Sequence, residues 1–170
     1  IEVDTAQFQK NLHVIRNLIG KSRFCLPVKA NAYGHGLSGI AKAAENLVDC
    51  LGVSCLKEGI VLRQAGIVLP ILVLGAIHED QVDDLIRFNL EFSISSRFKA
   101  ELVAKKLHAK CRVHLEVETG MQRTGVRPIT ATHLIQHLKT LSCFEIVGIY
   151  SHLATADSPN DPFALQQIAA

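Results

Sequence analysis

The sequence predicts an α/β fold, a parallel (β/α) barrel of the TIM type that is incomplete, with about six of eight βα units. Three observations carry this. Short apolar runs recur at residues 24–28, 51–54, 70–74, 90–94, 111–117 and 145–150, each followed by a helical pattern. Most of these runs are apolar on both parities, as suits strands covered on both faces. The repeat is about 20 to 30 residues long, close to one βα unit of an eight-stranded barrel.

Taken in order, residues 1–4 read as an extended start. Thr5 reads as the N-cap of a helix whose Phe8, Leu12, Ile15 and Leu18 or Ile19 recur at helical spacing, and Gly20 ends it. Between the later strands lie amphipathic patterns: Leu37-Ile40-Ala41-Ala44-Leu47, Val82-Leu85-Ile86, Leu102-Val103-Leu107 and Leu134-Ile135-Leu138. The final stretch opens a helix with Pro162 in its first turn. No Gly/Ser linker, low-complexity stretch or charge block interrupts the series, so residues 1–170 read as one domain. A closed barrel usually takes about 250 residues, so the expectation is a truncated one.

Composition narrows the function classes. The chain has 48% hydrophobic and 20% charged residues and a formal charge of +2, too balanced for a nucleic-acid or anionic-membrane ligand. No apolar run approaches the roughly 18 residues of a membrane span, and the start lacks the pattern of a signal peptide, so a cytoplasmic location is expected. Cys25, Cys50, Cys55, Cys111 and Cys143 are odd in number and scattered in apolar segments, which predicts buried free thiols and no metal site. His133 and His137 are four apart on a helical pattern, but no glutamate stands between them, as a zincin helix requires.

In parallel α/β folds reacting side chains gather at the carboxyl ends of the strands. Lys29 stands there, after 24–28 and before a turn-rich segment. Held on a rigid strand, it could attack a carbonyl or carry a proton. Standing alone it reads first as a snorkelling surface lysine at a strand end. In residues 111–118, Val113, Leu115 and Val117 share one face, and His114, Glu116 and Glu118 the other. That polar face must meet water or an internal site, because burying it without partners is costly. Arg123, just beyond, could pair with Glu116 or Glu118 or hold an anionic oxygen. His152 ends the last strand and, alone, reads as a structural histidine or a catalyst. Lys29, Glu116, Glu118 and His152 are expected on one rim.

Three of these segments carry a resemblance. Val28-Lys29-Ala30-Asn31-Ala32-Tyr33-Gly34-His35-Gly36 resembles the pyridoxal-phosphate attachment segment of the alanine racemases. Residues 118–126 resemble that family's Asp-Thr-Gly-Met-x-Arg-x-Gly segment, and residues 148–157 its Ser/Thr-His-Phe-Ala-Thr-Ala-Asp segment. The opening helix and Ile71-Leu72-Val73-Leu74-Gly75 follow its pattern too. The resemblance implies an N-terminal pyridoxal 5'-phosphate-binding barrel domain over 1–170, with a C-terminal β domain absent from these residues. It implies a homodimer that interconverts L-alanine and D-alanine and supplies D-alanine for peptidoglycan. Lys29 would attach the cofactor and act on the α-carbon, Tyr33 would reach the cofactor phosphate, His152 would lie against its ring, and Arg123 would donate to its phenolic oxygen. A second base, a tyrosine of the partner subunit's C-terminal domain, would lie outside this chain.

There is one departure. Where the family often has a lysine that becomes carbamylated, this chain has Glu116, which keeps the anion on a shorter side chain. Glu116 is therefore expected to face the interior and pair with Arg123. Two other readings stay open: a non-catalytic pyridoxal-phosphate-binding barrel, and a racemase of another amino acid such as serine.

Overall fold

The computed structural model describes residues 2–170; Ile1, where the extended start was expected to begin, lies outside them. The chain divides into two compact units, one ending at Phe92 and one beginning at Ser93. Six strands form a sheet whose order follows the chain from first to last.

In the first unit α1 (Thr5–Ile19) is capped by Asp4, whose side chain accepts the Gln7 N–H. The cap thus sits one residue before the expected Thr5, because a carboxylate is at least as good an acceptor there as a hydroxyl. Leu12 is buried, whereas Ile15 and Leu18 are exposed. β1 (Cys25–Pro27), β2 (Cys50–Val53) and β3 (Ile71–Val73) pair in parallel, with Leu26 opposite Leu51 and Val53 opposite Val73. β3 pairs in parallel with β4 (Glu91–Ile94), inside which the division between the units falls. α2 (Lys29–Tyr33), α3 (Leu37–Ala44), α4 (Leu56–Gln64) and α5 (Val82–Arg87) fill the connections.

The core of this unit gathers Leu51, Val53, Leu62, Ile71, Val73 and Leu85, all at most 1% exposed. Polar clamps close its edges. Arg63 donates to four backbone carbonyls, those of Phe88, Ile67, Leu69 and Asn89. Asp49 accepts from the Phe24 N–H and from Arg16, which hold its carboxyl below the usual range.

In the second unit α6 (Arg97–Ala104), β5 (Cys111–Glu116), α7 (Pro128–Thr140), β6 (Phe144–Tyr150) and α8 (Phe163–Ala169) follow in turn. β5 and β6 are parallel, with a register shift between Val113 and His114 that leaves Glu116 opposite Tyr150. Val113, Leu115, Val103, Leu134 and Leu138 make the core. The cysteines are free thiols, but only Cys111 is buried, while Cys25 and Cys55 are exposed. Apolar neighbours in sequence did not guarantee burial at strand starts and loops. No helix among the described residues is long and apolar enough to cross a membrane, and no cluster of possible metal ligands occurs among them.

Candidate active site

Lys29 lies half-buried just beyond β1, separated from it by Val28, and opens α2. That turn is left-handed: Ala30, Asn31, Ala32 and Tyr33 all have φ between 52° and 55°. Each such residue costs about 1–2 kcal/mol, so a run of them persists only where surrounding bonds dictate it. Those bonds are present. The Ala32 N–H donates to the Val28 carbonyl at 2.8 Å, and the Gly36 N–H to the Asn31 carbonyl at 3.0 Å. Asn31 Oδ1 accepts the Leu37 N–H at 2.8 Å, tying the turn to the start of α3. Glu58 accepts from the Asn31 N–H and, at 2.7 Å, from the Ser54 hydroxyl. Tyr33 ends the turn 61% exposed. The strained turn thus presents an amine and a phenol from one rigid segment.

In the second unit Glu116 is 5% exposed at the end of β5. Its carboxylate accepts from the Thr124 hydroxyl at 2.7 Å and from the Tyr150 hydroxyl at 3.3 Å, and Tyr150 also meets the Ser93 hydroxyl at 2.7 Å. Burial first, and the Glu116 carboxylate beside it, push the Tyr150 phenol upward, so it stays protonated as a donor. The expected partnership with Arg123 is therefore corrected: among the described residues no ion pair joins the two. Two hydroxyls from neighbouring segments reach the short glutamate first. Arg123 is exposed and gives its backbone N–H to Glu118 at 3.0 Å.

Glu118 organises the loop after β5. Backbone amides of Gln122, Gly120, Arg123 and Met121 surround its carboxyl and hold it below the usual carboxylate range. The two acidic residues of this segment thus do different work: Glu116 closes the strand end, and Glu118 winds the loop that carries Arg123. His152, beyond β6, is exposed, and its carbonyl accepts from Gln167 Nε2 at 3.0 Å.

The profile described as alanine racemase, N-terminal domain, matches residues 3–170. The chain belongs to the alanine racemase N-terminal domain family. It is 37% identical over 174 residues to an alanine racemase of Symbiobacterium thermophilum, covering 98% of this chain and 45% of that one. It is 36% identical over 173 residues to one of Synechocystis, covering 98% of this chain and 46% of that one. Among solved structures, alanine racemase from E. faecalis matches with a TM-score of 0.93 at 30% identity, covering 98% of this chain and 47% of that one. Alanine racemase of Clostridium difficile in complex with cycloserine matches at 0.88 and 35% identity, with 98% and 47% covered. The chain spans about half the length of the curated relatives it matches. These likenesses and the parallel strand order bear out the fold class of an incomplete (β/α) barrel.

Within this family frame, sequence reasoning selected the strand-end residues but missed their partners. Tyr150 had a signal, since it closes its strand in register with Glu116. Thr124 sits in a loop and Asn31 in the single turn of α2, where polar residues are ordinary and carry no period. Gln167 was hidden by a misleading pattern. On α8, Gln167 is 3% exposed, although a glutamine on a helix ordinarily faces water.

Proposed function

We propose that residues 1–170 are the cofactor-binding barrel part of a pyridoxal 5'-phosphate-dependent alanine racemase that interconverts L-alanine and D-alanine. The observation that carries this reading is Lys29 at the head of a left-handed turn, within a chain of this family. An alanine racemase from Bacillus anthracis with bound L-Ala-P has the same fold, at a TM-score of 0.90 and 28% identity.

The donor set fits the cofactor. Lys29 is half-buried yet reachable, the Tyr33 ring is largely exposed, and Arg123 and His152 are exposed with no side-chain hydrogen bond among the described residues. An amine for a carbonyl, a phenol for a phosphate and a guanidinium for a phenolic oxygen are the groups such a molecule needs. When bound, pyridoxal phosphate supplies an electron sink that acidifies the α-carbon of an amino acid.

Lys29 would hold the cofactor through its amine and would serve as the group that gives or takes the proton at the alanine α-carbon on the D face. Tyr33 would donate to the cofactor phosphate, Arg123 to the phenolic oxygen, and His152 would lie against the ring. Glu116 and Glu118 support these contacts by fixing the strand end and the loop before Arg123. In this reading a β domain outside these residues and a second subunit of a homodimer complete the site. The product, D-alanine, serves peptidoglycan synthesis in the cytoplasm.

The test is exchange of the alanine α-proton in heavy water, with both enantiomers followed, by the full-length protein. Turnover that disappears in Lys29→Ala is expected. Turnover that survives in that variant, or exchange without inversion of configuration, contradicts the reading.

A further inference from the structure

We propose that Gln167 is a positioning residue, one amide that holds the loop before Arg123 and the segment of His152 in a single arrangement for the cofactor. This rests on the function proposed above. Gln167 Nε2 donates to Thr119 Oγ1 at 3.2 Å and to the His152 carbonyl at 3.0 Å. Its Oε1 accepts the Ala154 N–H at 2.7 Å. Both amide hydrogens and one oxygen lone pair are thereby used. The orientation is set by chemistry, since the Ala154 N–H needs an acceptor and the His152 carbonyl needs a donor.

The two segments come from different strands. Thr119 lies beyond β5, four residues before Arg123, and His152 and Ala154 lie beyond β6. Apart from Gln167, they meet through the Thr119 and Ser151 hydroxyls at 2.6 Å. One turn before Gln167, Phe163 packs on Gly120, where an added Cβ would stand 2.6 Å from the ring. Gly120 also has φ +148°, so the close approach and the backbone both exclude a side chain there. α8 thus turns Phe163 and Gln167 inward and leaves Leu165 and Ile168 outward.

Three variants separate the possibilities. Gln167→Leu removes all three bonds. Gln167→Glu, as a carboxylate, still accepts from the Ala154 N–H and the Thr119 hydroxyl but faces the His152 carbonyl with no hydrogen to give. Lys139→Gln, on α7 and away from these three bonds, serves as the control. In the full-length protein without cofactor, amide hydrogen exchange is expected to rise several-fold at 119–125 and 151–157 in Gln167→Leu. In Gln167→Glu it should rise at 151–157 with 119–125 kept protected. Loaded with pyridoxal phosphate, Gln167→Leu is expected to bind the cofactor about tenfold more weakly, as loss of roughly one net hydrogen bond implies, and to shift its visible absorption band.

Exchange confined to α8, or an unchanged affinity and absorption band, would overturn the proposal. Should Gln167→Leu fail to fold, Gln167→Glu carries the same two readouts. A wild-type protein that takes up no pyridoxal phosphate would sink the proposed function and the positioning role with it. A wild-type protein that does take it up, with a silent Gln167 series, would sink the positioning role alone.

Discussion

Glu116 shows how neighbouring hydroxyls make a buried anion tolerable. The side chain ends in a buried anion, and Thr124 and Tyr150 supply the hydrogens that make its burial tolerable. Replacing it by leucine strands two hydroxyls, each at about 1–3 kcal/mol. Glu116→Leu is therefore expected to lower stability in urea denaturation by that order, while Glu116→Gln, which keeps an acceptor, loses less. Because the anion is a carboxylate, activity of the wild-type full-length protein is expected to be indifferent to added bicarbonate. A bicarbonate requirement would point to a different anion in the site.

Glu118 gives a pH signature. Its folded pKa is depressed, so the order it confers is present above the ordinary glutamate value of about 4.3 and is lost as pH falls through the lower folded value. Amide signals of Gly120, Gln122 and Arg123 should broaden or shift together in that acid range. They should lose that transition in Glu118→Gln. Independent titration of each amide would deny the shared carboxylate.

At the scale of elements, the turn that bears Lys29 is the least expected local structure. Glycine adopts φ near +55° without the Cβ penalty, whereas Ala30 does not. Ala30→Gly is expected to stabilise the protein by about 0.5–1 kcal/mol, and Ala30→Val to destabilise it, in matched thermal or urea unfolding. The reverse order would contradict a left-handed turn in solution. The sequence announced a turn here through its Asn and Gly residues but not its hand, because the hand is set by specific bonds, those of the Val28 carbonyl, the Asn31 side chain and the distant Glu58. Strands were more legible. Residues such as Leu51, Val53, Ile71 and Val73 are apolar and buried in the positions their runs imply. Helix faces were less so: Ile15 and Leu18 on α1 fit a core-facing period and are exposed. Arg63, whose four carbonyl contacts lock loops of the first unit, also gave no signal, since an arginine on a helix usually faces water.

For the whole molecule, the family membership accounts for residues 3–170, and its members reach about twice this length. If the second base and most of the phosphate contacts lie outside these residues, the polypeptide 1–170 produced alone should show no sustained exchange of the alanine α-proton and weak cofactor binding. Sustained turnover by it would show that Lys29 and its neighbours suffice. The claim on which everything else depends is that Lys29 carries the cofactor. The direct measurement is borohydride reduction of the full-length protein loaded with pyridoxal phosphate, followed by peptide mass analysis. A phosphopyridoxyl group on the peptide containing Lys29, lost in Lys29→Ala, is the result expected. Label on another lysine, or none, would contradict the account.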